Sequence, residues 1–84
     1  MKKPNLRARI LSDKEFFEHI FTKVPADKVL EEVQKKYPEA IEYSSFSRRI
    51  TFRSIIDPCF YVWLDYQLGA LTCTVISIPE DDEE

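Results

Sequence analysis

His19 is the only histidine in the 84-residue chain, and Cys59 and Cys73 are its only cysteines. Nucleophilic or acid–base catalysis needs a base within reach of a nucleophile and a third group to orient it. No serine, cysteine or aspartate motif surrounds His19, which falls between Glu18 and Ile20 at the edge of an apolar stripe. A structural or solvent-facing imidazole is the expectation there. The two cysteines belong to no CxxC or Cys/His pattern. One histidine and two scattered thiols do not make a tetrahedral ligand set, so no metal is expected. The thiols read as small buried hydrophobes, with a cross-strand disulfide open if their strands prove adjacent. Asp57 and Asp65 flank an apolar run and read as turn and strand-end residues rather than a paired acid and base. A single glycine, Gly69, excludes a glycine-rich phosphate cradle. The terminal carboxylate run lacks the turn-forming glycine of a calcium loop. No cofactor is expected, and the chain reads as a non-enzyme.

Charge carries more information. Residues 1–53 hold all 12 Lys and Arg with 8 acidic residues, whereas residues 54–84 hold 7 acidic residues and no basic one; the net charge is −3. Arg48, Arg49 and Arg53, with Arg7 and Arg9, would make a phosphate-binding stripe if they shared a face. The alternative is that they are solvent and edge-strand charges that discourage sheet-to-sheet pairing. A sequence pI near 5.2 weighs against simple nucleic-acid binding. The segment Glu80-Asp81-Asp82-Glu83-Glu84 follows Pro79 and reads as an acidic, disordered tail. The domain is therefore placed at residues 1–79 and the tail at 80–84.

These side chains must be positioned by a small scaffold. Leu6-Arg7-Ala8-Arg9-Ile10 alternates, which suggests a half-buried strand with Leu6, Ala8 and Ile10 inward. Ser12 and Glu15 have the spacing of a capping box, so a helix is expected to start there. Phe16, Phe17, Ile20, Phe21 and Val24 form its apolar stripe, and Pro25 closes it. A second helix carries Ala26, Val29, Leu30, Val33 and Tyr37 inward, and Pro38 ends it. From Ala40 the period changes to two. Ile41 and Tyr43 share one face of a strand, Ile50 and Phe52, extending to Ile56, share one face of the next, and Leu71, Cys73 and Val75 share one face of the last. Turns fall at Phe46-Ser47, Asp57-Pro58 and Leu68-Gly69. The expected fold is α+β, a two-layer sandwich with two N-terminal helices on one face of a four- or five-stranded antiparallel sheet, in the order β-α-α-β-β-β-β.

In this scheme the run Cys59-Phe60-Tyr61-Val62-Trp63-Leu64 is apolar on both alternating faces. Two helices cover one face only. With Phe60, Val62 and Leu64 toward the helices, Tyr61 and Trp63 lie on the other face beside Arg49 and Arg53; the opposite register places Phe60, Val62 and Leu64 there instead. In either case the N-terminal segment or a bend of the sheet is the alternative cover within the chain. Aromatics with arginine suit a protein interface, and they also suit base stacking. The leading expectation is a small intracellular, cytoplasmic interaction or regulatory protein of inhibitor type. It would dock a protein partner through Tyr61, Trp63, Arg49 and Arg53 and set Asp81, Asp82, Glu83 and Glu84 against a basic surface. Self-association as a homodimer is a further expectation for the same face. An RNA or single-stranded nucleic-acid binder is the alternative. No run approaches a membrane span, and the N-terminus has no secretory h-region, so no membrane association is expected.

Overall fold

A computed structural model of the chain describes residues 5–77, and the acidic residues 80–84 lie outside the described residues. Three helices precede four strands: α1 Leu6–Leu11, α2 Lys14–Lys23, α3 Ala26–Lys36, β1 Ala40–Ser44, β2 Arg49–Arg53, β3 Phe60–Gln67 and β4 Ala70–Ser77. The strands form one antiparallel sheet in the order β1-β2-β3-β4. The fold is α+β as expected from the sequence, but its first element is a helix and not a strand.

The correction at Leu6–Ile10 has a local cause. Positions 6 and 10 are inward under a period of two and also under helical i, i+4 spacing, so five residues cannot separate the two. Asn5 decides it: its side-chain oxygen accepts from the Ala8 N–H at 2.8 Å and caps the first turn. Leu6 and Ile10 are buried while Ala8 is exposed, which only the helix explains. The expected capping box is also displaced. Ser12 ends α1 and donates its hydroxyl to the Arg9 carbonyl. Asp13 takes the N-cap position of α2 without a side-chain cap bond. Its carboxylate instead receives Lys36 at 2.6 Å and the Tyr37 hydroxyl at 3.2 Å.

The proline boundaries hold. Val24 is extended before Pro25, which is itself the N-cap of α3. Tyr37 is buried, and its hydroxyl donates toward the Arg9 carbonyl, tying the end of α3 to the α1–α2 junction. Phe17, Ile20, Phe21, Val29 and Val33 share one core with Ile50, Phe52, Val62 and Leu64. Phe52 sits edge-on to both Phe17 and Tyr37, with ring centroids 5.9 Å apart in each pair.

Two strand details differ from expectation, and the question of the cysteines is settled. Ala40 pairs with Phe52 but Glu42 pairs with Thr51, so Ile41 is the extra residue of a bulge. Ala40 and not Ile41 therefore joins Tyr43 on the core side. Ile56 lies in the β2–β3 loop, 92% exposed, and does not extend β2. Cys59 and Cys73 are both free. Cys73 pairs with Leu64 and Phe60 with Ser77, so Cys59 lies five positions along the ladder from Cys73. That is about 17 Å at ~3.4 Å per residue, beyond disulfide reach. Among the described residues no helix is long and apolar enough to cross a membrane.

Candidate interaction face

Alternation along β3 sends Val62 and Leu64 into the core, both fully buried, and leaves Tyr61 and Trp63 half-buried on the opposite face. Sheet register then sets their neighbours. Three rows cross β2, β3 and β4: Arg49, Asp65 and Thr72; Thr51, Trp63 and Thr74; Arg53, Tyr61 and Ile76. Arg49 donates from Nε to Asp65 Oδ1 at 2.6 Å. Its guanidinium lies 4.0 Å from the centre of the Trp63 ring, and that of Arg53 lies 5.3 Å from the centre of the Tyr61 ring. Arg49, Arg53, Tyr61 and Trp63, expected together from the sequence, are brought together by the register.

From these rows Arg49, Thr51, Arg53, Tyr61, Trp63 and Ile76 line an open depression of about 560 Å³, to which Ile41 of β1 adds a second isoleucine. All its lining residues come from the strands and the β1–β2 turn, and none from a helix. The two apolar wall residues are additions to the expected set. Ile76 was legible from the alternation in β4. Ile41 reaches this face because of the bulge, for which the sequence carries no signal. Asp65 is likewise more than a strand-end residue: its side chain is 14% exposed and it holds the Arg49 fork in place over the indole. A guanidinium over an aromatic face contributes about 0.5–1 kcal/mol where exposed. Part of the second apolar face of β3 is thus covered by arginine from the neighbouring strand.

The wider arginine stripe does not assemble. Arg9 binds Glu39 at 2.6 Å and lies over Tyr37. Arg48 donates to the Phe21 carbonyl at 2.8 Å, near the end of α2, and stacks over Tyr66. Arg7 is exposed on α1. Of the five arginines, Arg49 and Arg53 alone share the open face, and Arg53 makes no ion pair among the described residues. Asp81, Asp82, Glu83 and Glu84 lie outside the described residues.

The remaining reactive groups are dispersed. His19 is exposed on α2, and burial pushes the Cys73 thiol above its ordinary pKa, which disfavours the thiolate. Tyr37 is pushed up to about 12, first by burial and then by the Asp13 carboxylate. A second depression of about 260 Å³ lies among Arg9, Ser12, Asp13, Lys36 and Tyr37. Its cations are paired within the fold, Lys36 with Asp13 and Arg9 with Glu39. Among the described residues no three His, Cys, Asp or Glu side chains cluster as a metal site would require. No protein-family model, curated protein or solved structure matches the chain.

Proposed function

We propose that the protein is a non-enzymatic interaction module that docks a protein partner on the face of the sheet bearing Tyr61 and Trp63. This takes the molecule as two layers, with the helices on one side of the sheet and the binding face on the other. One observation carries it: two half-buried aromatic rings, each under a guanidinium, stand side by side in a depression walled by isoleucine. Aromatic and arginine anchors dominate the energetics of protein interfaces. The partner surface that fits is apolar against Ile41, Trp63 and Ile76, with a carboxylate for Arg53. The acidic residues 80–84 supply a second, electrostatic contact to a basic patch beyond this face, in the manner of a small regulator or inhibitor. Base stacking fits less well, because Arg49 and Arg53 lie over the rings that bases would need and Arg9 and Arg48 serve the fold.

Trp63 is the sole tryptophan, so its emission reports on the face directly. With 7-azatryptophan incorporated at position 63, which is excited to the red of ordinary indole, a partner bound from a nuclease-treated host-cell protein fraction should shift that emission to the blue. Arg53→Glu should abolish that shift without changing the far-UV spectrum. A partner lost on nuclease treatment would move the assignment to nucleic acid. A shift indifferent to Arg53→Glu and to Tyr61→Ala would remove this face as the site.

A further inference from the structure

We infer that β4 is the pairing edge of a homodimer, in which two copies join antiparallel through β4 into one continuous eight-stranded sheet. This is independent of the open face and uses the edge of the sheet, not its surface.

The two edges of the sheet are built differently. β1 is five residues long, bulged at Ile41 and marked by the charge of Glu42. Those are the devices by which sheets prevent edge-to-edge pairing. β4 has none of them along its own sequence, although α1 packs beside it and brings the charge of Arg7 near Cys73. Its eight residues, Ala70 to Ser77, include no charge, no proline and no glycine, and no bulge interrupts their pairing with β3. Among the described residues no strand pairs with its outer side.

The register shows which backbone groups point outward. Leu68 and Gly69 both have positive φ, the signature of a two-residue type I′ turn, so Gln67 and Ala70 form its hydrogen-bonded pair. The Tyr66 N–H bonds to Arg48 and the Phe60 carbonyl to Ser54, so even-numbered residues of β3 bond toward β2 and odd-numbered ones toward β4. Ala70, Thr72, Thr74 and Ile76 therefore spend their hydrogen bonds on β3. Leu71, Cys73, Val75 and Ser77 direct theirs to the free edge.

The occupant is a second copy because the edge is complementary to itself. With the two-fold axis at Cys73, Leu71 pairs with the partner's Val75, Thr72 with the partner's Thr74 and Ala70 with the partner's Ile76. Apolar meets apolar and threonine meets threonine on each face, the pairings that favour a ladder. Shifting the axis to Thr74 would set Leu71 against serine and Thr72 against isoleucine. Val75, which the monomer leaves 39% exposed, gains cover from the partner's Leu71. A strand of ~27 Å offers only a few hundred Å² per copy, at the low end for specific interfaces, so the dimer forms in the micromolar range or above.

Sedimentation equilibrium on the reduced 84-residue chain, from about 1 µM to 1 mM, tests this by mass action. A monomer–dimer equilibrium is expected. Val75→Pro removes an outward N–H and leaves the β3 ladder intact, so it should weaken the dimer by roughly tenfold or more at unchanged far-UV spectrum. If that variant loses native structure, Thr72→Lys with Thr74→Lys reads the same edge through charge repulsion. In the two-fold register, paired Cys73 residues have Cα atoms about 5.5 Å apart, within disulfide reach. Copper–phenanthroline should therefore cross-link Cys59→Ser protein into a covalent dimer and give no covalent dimer with Cys73→Ser protein. A monomer at every concentration, or a dimer indifferent to these edge variants, overturns the inference.

Discussion

Replacing Phe52 with alanine tests the framework on which the binding face depends. Phe52 is 0% exposed, pairs with Val62 and Ala40 in the ladder, and lies edge-on to Phe17 and Tyr37. Truncation removes a benzyl group from a site closed by α2, the end of α3 and two strands, where collapse is limited. Large-to-small changes of this kind cost about 3–5 kcal/mol, and the loss of two aromatic pairs favours the upper half of that range. A domain of this size has on the order of 4–13 kcal/mol in total. The assay is urea unfolding followed by far-UV circular dichroism. With m near ~1.3 kcal/mol/M, the midpoint should fall by about 2–4 M at unchanged m, or the variant should be unfolded in buffer. Ile56→Ala is the control: at 92% exposure it should change stability by less than about 0.5 kcal/mol. A loss below about 1 kcal/mol for Phe52→Ala, or equal losses for the two variants, would refute the register of β2.

Arg48→Ala removes the bond to the Phe21 carbonyl and the stack on Tyr66, and should cost roughly 1.5–3 kcal/mol in the same assay, a charged hydrogen bond being worth more than a neutral one. Tyr37 has its pKa raised from 10.0 to about 12 in the fold, so the folded state holds this proton more tightly than the unfolded chain. Stability linked to it is complete below pH 10 and is lost as pH rises from there through about 12. Absorbance at 295 nm should show a tyrosine ionising late, and Tyr37→Phe should remove both that step and the associated alkaline destabilisation. Deleting residues 80–84 removes five carboxylates, and affinity for the protein partner should fall, more at low salt than at high salt. Affinity unchanged at low salt would show that the tail takes no part in docking.

Local pattern alone determined a large share of this molecule. Pro25 and Pro38 bound the helices because proline constrains the residue before it and cannot donate a hydrogen bond. The alternation of Ile50 and Phe52 with Arg49, Thr51 and Arg53 sets the faces of β2, since a one-residue slip would invert every side chain. In β3 both alternating sets are apolar, so the period was legible but not the set that faces the core; pairing with β2 turns Val62 and Leu64 inward and puts Tyr61 and Trp63 beside Arg49 and Arg53. Tertiary structure decided the rest. The segment from Leu6 to Ile10 satisfies two periods at once, and the helix emerges from the Asn5 cap and from burial of Leu6 and Ile10 against the core. The bulge that turns Ile41 to the open face depends on how β1 meets β2. That the fold takes up Arg9 and Arg48 was not legible, because such contacts are facts of proximity: Glu39 ion-pairs with Arg9 across 30 residues, and the Phe21 carbonyl accepts a hydrogen bond from Arg48 across 27. Arg49 and Arg53 remain on the face because their strand leaves them nowhere else to go.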